Sequence, residues 1–232
     1  MNEGFSAGQQ TMPTQVGLGS RATFLVRTYN HLFGAIVAFA LIEIFLFKSG
    51  MAETIARVLM GVSWLLVLGG FVVVSWLATR AAHTVRSASG QYLALAAFVV
   101  AQAIIFVPML YIAEHYAPGA IQSAAALTLI GFAGLTAIVF WTRKDFSFLG
   151  GLLRWGGILA LLIIVAGLLF GLNLGSWFSI AMIGLAGGAI LFDTSNILRN
   201  YPEDRYVAAA LELFASVAMM FWYVLRLFTS RN

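Results

Sequence analysis

LAGGAILFDTSNILRNYPEDRYVAAALELFAS, Leu185 to Ser216, is the stretch whose reading decides the fold. It begins as an apolar helix and reaches an acid, Asp193, while the sequence is still apolar. It then passes through a short charged turn, Arg199 to Arg205, and re-enters apolar sequence as a helix carrying a second acid, Glu212. Such a pattern fits two consecutive membrane-spanning helices joined by a tight exit and return. Ionisable groups are costly inside lipid, so Asp193 and Glu212 are functional candidates by default.

Composition supports the membrane reading. Of 232 residues, 61% are hydrophobic and 9% charged, against about 45–50% and 25% in a soluble domain. Mean hydropathy is +0.94. No single soluble core absorbs so much apolar surface, so lipid must take the remainder. The net charge of +4 comes from basic residues placed between apolar segments, where they act as topology signals, and no nucleic-acid partner is expected. With no cysteine, disulfides and thiolate metal sites are excluded.

Outward from Leu185, runs long enough to cross about 30 Å of hydrocarbon are expected at 24–47, 58–78, 92–113, 120–141, 149–170, 176–198 and 206–228. In lipid these runs must be helices, because only a helix satisfies its own backbone. Residues 1–20, rich in Gly, Gln, Ser and Thr, read as a mobile soluble tail, leaving 21–232 as one seven-span membrane domain. Arg21, Arg27, Arg80, Arg86, Arg143, Lys144, Arg154, Arg199 and Arg205 fall on one side, against Lys48, Arg57, Arg226 and Arg231 on the other. The positive-inside rule therefore expects a cytoplasmic N-terminus. Gly184 with Gly188, Gly69-Gly70 and Gly156-Gly157 are candidate close-packing positions between helices.

Asp193 lies six residues before Arg199, and Glu212 seven after Arg205. At 1.5 Å per residue, both sit roughly 10 Å in from the same membrane face. If they meet, two carboxyl groups cannot easily both ionise, and a shared proton would form a pH-sensitive latch. The alternatives are a polar Asp193 near the interface bonded to Thr194, Ser195, Asn196 or water, a Glu212 that reaches for the headgroups, and a solitary Asp193 site with Ser216 or Asn196 as a neutral partner. His31 belongs to the residue type that changes charge near neutral pH, or it serves as a hydrogen bond between helices. Glu43 lines a cavity or reaches the opposite headgroups. Gln102 must find partners within the bundle, and Pro108 should kink its helix. The chain lacks HExxH, P-loop and GxSxG motifs. Its three histidines fall at separate depths, which argues against a histidine metal site. No catalytic residue or cofactor is expected, and the chain does not read as an enzyme.

Several short motifs carry a resemblance. Phe24-Leu25-Val26-Arg27-Thr28-Tyr29 opens the first span, and Arg143-Lys144-Asp145-Phe146-Ser147 precedes Leu149-Gly150. Leu191-Phe192-Asp193-Thr194-Ser195-Asn196 is followed by the Tyr206 to Arg226 helix. In this order the motifs resemble the Bax inhibitor-1, or transmembrane Bax inhibitor motif, family. The resemblance implies an all-α, seven-helix integral membrane fold with a central last helix. It also implies cation-leak activity, often for Ca²⁺ as the transported ion, controlled by paired acids. Asp193 matches the family's acid on the sixth span. The partner acid falls at Ser216, a further acid near Gln102, and the late basic residue at Arg226. Two of these positions are thus neutral here. That departure is similar to a bacterial, inner-membrane branch whose members associate with a membrane-bound AAA protease. Two readings follow: a pH-sensitive leak for Ca²⁺ or H⁺ gated by Asp193, Glu212, Ser216 and Arg226, or a non-transporting modulator of such a protease.

Overall fold

A computed structural model describes residues 13–85 and 87–230. Arg86 and Arg231, counted above among the topology charges, and residues 1–12 of the expected tail lie outside the described residues. The described residues form eight helices and no strand. These are α1 (Pro13–Lys48), α2 (Met51–Gly61), α3 (Trp64–Thr84), α4 (Ala88–Tyr116), α5 (Ala120–Thr142), α6 (Leu149–Phe170), α7 (Ser176–Arg199) and α8 (Tyr206–Thr229). All but α2 are long and apolar enough to cross a membrane. Helix α1 begins at Pro13, so residues 13–20, expected as tail, are helical.

Helix α8 occupies the centre. In the most apolar window of each span, 72% of α8 and 61% of α4 are buried, but only 6% of α6. Helix α8 packs against α1, α3, α4, α5 and α7. Helix α6 stands outside this ring, against α7 and, sparsely, α3. The wrapping of the last helix is therefore carried mainly by five neighbours. Phe214 sits at the middle of the core with Phe39 and Phe98 edge-on to it, and Phe106 stacks on Phe221 one layer further along. Aromatic pairs in these geometries add about 0.5–1.5 kcal/mol beyond their burial.

The expected second span, 58–78, is broken. Residues 58–61 close α2, the chain becomes extended at Val62, and the spanning helix starts only at Trp64. Gly61 is a poor helix former, and the Ser63 carbonyl accepts the first backbone amides of α3, from Leu66 and Val67. Helix α2 is amphipathic. Ala52 and Ala56 are buried against the bundle, while Glu53 and Arg57 pair at 2.7 Å on the exposed side. Gly50, at φ +76°, makes the sharp turn into it, a left-handed conformation that favours glycine.

Close approach of α6 and α7 depends on glycine, though only partly at the expected positions. A methyl group on Gly156 would meet Leu185 at 2.7 Å, and one on Gly188 would meet Leu153 at 3.3 Å. Gly184, Gly69, Gly70 and Gly157 instead face open space. Helix α4 runs on through Pro108, whose missing N–H leaves the Ile104 carbonyl without its helical donor.

Candidate functional site

Helices α3, α5 and α7 all end at the same end of the bundle, the one where α1 and α8 begin. Call this the near end. It gathers three negative helix C-termini, each with orphan carbonyls. Each receives an arginine from another element. Arg21 of α1 donates to the carbonyls of Ile197, Leu198 (3.3 Å) and Tyr201 (2.6 Å) at the end of α7. Arg205 donates to Val85 at 2.8 Å, just past α3. Arg199 donates to the carbonyl of Arg143, the left-handed residue that closes α5. Three arginines counted as topology signals are thus also helix caps.

Inside this collar lie the acids. Asp193 of α7 accepts a 2.6 Å hydrogen bond at Oδ2 from the Ser216 hydroxyl of α8. Ser216 is buried and Asp193 half-buried. Glu212, one turn nearer the end of the bundle, takes His83 of α3 instead, Oε1 to Nε2 at 2.8 Å. The Tyr201 hydroxyl lies 3.3 Å from the same His83 nitrogen, and the two rings sit 5.9 Å apart. Burial, followed by the nearby Glu212 carboxylate, pushes the Tyr201 phenol above its ordinary value. It therefore stays protonated through the physiological range. Among the described residues no hydrogen bond joins Asp193 to Glu212. Asn196 turns away and accepts from Asn200 at 3.0 Å.

The charged turn before α6 is fastened to the same place. The amide of Phe146 donates to Ser195 Oγ at 3.0 Å. The turn is locked within itself by the Ser147 amide, which donates to Asp145 Oδ1 at 2.9 Å. These hydrogen bonds from Ser147 hold the exposed Asp145 carboxyl below its usual range. The Arg143–Ser147 and Asp193–Asn196 motifs, fifty residues apart in the chain, are therefore one structural unit.

The other predicted residues lie elsewhere. His31 accepts from the Tyr92 hydroxyl at 3.0 Å and donates from Nδ1 to the Arg27 carbonyl at 2.6 Å, a tautomer fixed by these two partners. It thereby links α1 to α4, with the Tyr206 ring of α8 at 5.1 Å. At the far end, Arg226 donates to the Leu174 carbonyl at 2.6 Å and lies over the Phe178 ring at 5.8 Å. Glu43 is buried, and among the described residues neither carboxyl oxygen has a hydrogen-bond partner. Gln102 is buried, and its Oε1 has no hydrogen-bond partner among the described residues. Among the described residues no group of three or more His, Asp or Glu side chains is placed to hold a metal ion.

Sequence reasoning missed His83 and Tyr201 as partners at Glu212, and it set Ser195 beside Asp193 where the structure gives it to the Phe146 amide. The available signal was positional: His83 closes a span at the same membrane face as Glu212.

Fold and site together define a polytopic helical membrane protein built round its last helix, with a polar cluster at one end. Residues 21–232 match the sequence model of the inhibitors of apoptosis-promoting Bax1, and the chain belongs to the Bax inhibitor-1 family. Its relatives include the modulator of FtsH protease YccA of Escherichia coli K12, 37% identical over 115 residues, which are 48% of this chain and 52% of YccA. In Escherichia coli CFT073 the corresponding relative, with the same identity and coverage, is named an inner membrane protein. LIFEGUARD 1 of Arabidopsis thaliana is 35% identical over 108 residues, 44% of this chain and 45% of its own length. The chain thus spans about half the length of these curated relatives.

Proposed function

We propose that this protein is a non-enzymatic regulator of a membrane-bound AAA protease, acting in quality control within a bacterial inner membrane. One observation carries the reading. Asp193 meets the neutral hydroxyl of Ser216 rather than a second carboxyl group, and Glu212 is engaged with His83. A latch of two acids sharing a proton needs the carboxyl groups in contact, and these side chains are committed to other partners. The similarity to a protein named as a modulator of FtsH protease supports the same direction.

Residues 1–20, of which 13–20 form the start of α1, serve in this reading as a grip for the protease. Deleting residues 2–20 should abolish co-purification of the protease while leaving the bundle folded. Purified protein in liposomes should show no pH-dependent cation flux above that of empty vesicles. Flux that is present in the wild type and lost in Asp193→Asn would replace the regulator with a leak channel for Ca²⁺ or H⁺.

A further inference from the structure

Helices α3 and α6 touch only sparsely, and behind that seam lies a cavity of about 780 Å³. This is within the range of about 300–1,000 Å³ typical of small-molecule sites. The far-end mouth is formed by Leu168 and Leu172, which are exposed, and by Arg226. Its walls are aromatic and aliphatic, with Phe71, Phe106 and Trp222 prominent. Its depth is set on α4, where lining runs from Ile112 near the mouth past Gln102 to Phe98. Fourteen residues of helix make that about 21 Å. Before that end, the buried Oε1 of Gln102 and Oγ of Ser75 have no hydrogen-bond partner among the described residues, so the lining turns partly polar there.

The mouth carries a charge without a counter-charge. Arg226 gives one N–H to the Leu174 carbonyl, and among the described residues no carboxylate forms an ion pair with it. A guanidinium presents five donors in a planar fork that suits phosphate. A cationic fork at the mouth of an apolar slot, open through a seam that faces hydrocarbon, is complementary to an anion with an acyl tail.

We propose that this cavity is a binding site for an anionic phospholipid, which slides one acyl chain between α3 and α6 and sets its phosphate on Arg226. The tail passes Trp222, Phe106 and Phe71. This assignment is independent of the protease reading and of the near-end acids.

The test uses the full chain, purified in detergent and offered equal amounts of phosphatidylglycerol and phosphatidylethanolamine, with retained lipid read by native mass spectrometry. The expected result is one retained phosphatidylglycerol per chain, favoured several-fold over phosphatidylethanolamine. Arg226→Gln should abolish the preference and Arg226→Lys should keep most of it. Arg57→Gln, which removes a far-end charge already paired with Glu53, should leave it intact. Leu68→Trp, which fills the slot without touching Arg226, should reduce retention of both lipids. Equal retention of the two lipids, a preference unchanged by Arg226→Gln, or recovery of a free fatty acid in place of phospholipid would each overturn the proposal.

Discussion

Ser216 and Asp145 show how single side chains fix this structure from opposite positions. The Ser216 hydroxyl is buried and points at a carboxyl group. Replacing it with alanine leaves Asp193 Oδ2 without its donor, and an unsatisfied buried polar group costs about 1–3 kcal/mol. Ser216→Ala should therefore lower the thermal midpoint in detergent, and Ser216→Thr, which keeps the hydroxyl, should restore most of the loss. Asp145 is exposed, and its effect depends on pH. Its folded-state carboxyl lies below the usual range because the ionised form accepts from Ser147. The stability it contributes is thus present above the ordinary carboxylate value of about 4. It is lost as pH falls through the lower folded-state value. The stability difference between wild type and Asp145→Asn should be present at neutral pH and vanish at acid pH, as read from thermal unfolding across that window. Of these two partnerships, only Ser216 was legible as a position facing Asp193, and only through the family resemblance. Glu212 was an equally reasonable partner by depth. Depth is written in a sequence, but the rotation of α8 against α3 and α7 is not, and that rotation gives Glu212 to His83.

At the scale of elements, the seven spans were legible because their length and hydropathy leave lipid no other solution. The short helix α2 was not, since its last residues, Val58 to Gly61, run into the apolar sequence of α3 with only Ser63 as a polar residue between them. What separates them is the backbone at Val62 and Ser63, where a weak helix former and a serine interrupt hydrogen bonding. Helix ends also explain why the basic residues cluster. Any helix that descends to the near end arrives with its negative pole and unsatisfied carbonyls, and an arginine answers both. Arg21→Gln should loosen α7 specifically. Hydrogen bonds to charged groups contribute about 1.5–3 kcal/mol, and Arg21 reaches three carbonyls. The expected outcome is faster hydrogen exchange at the end of α7 and in the Asn200–Arg205 turn, with little change at the far end. The α6–α7 contact gives a second check. Gly156→Val forces a branched side chain against Leu185, and overpacking of this kind costs about 1–3 kcal/mol. Gly157→Val, one residue along and facing open space, should be tolerated.

At the scale of the whole molecule, the count of spans rests on α2. Eleven residues of helix extend about 16 Å, half the hydrocarbon thickness. Helix α2 also carries the exposed Glu53–Arg57 pair along its length. It lies against α1 and α4, on the bundle at the far end, and does not cross. The seven remaining helices are an odd number, so reporters fused before Met1 and after Asn232 should report opposite sides of the membrane. Charge supplies the direction. Among the described residues the near end collects Arg21, Arg27, Arg80, Arg143, Lys144, Arg154, Arg199 and Arg205, and the far end only Lys48, Arg57 and Arg226. By the positive-inside rule the near end, and with it the Asp193 and Glu212 clusters, is expected to face the cytoplasm. A pair of fusions with a cytoplasm-active fluorescent protein and an export-dependent phosphatase should accordingly give fluorescence at the N-terminal fusion and phosphatase activity at the C-terminal one. The same signal from both termini would mean that α2 crosses after all. The reverse assignment would place the near-end cluster outside, beyond reach of any cytoplasmic protease domain.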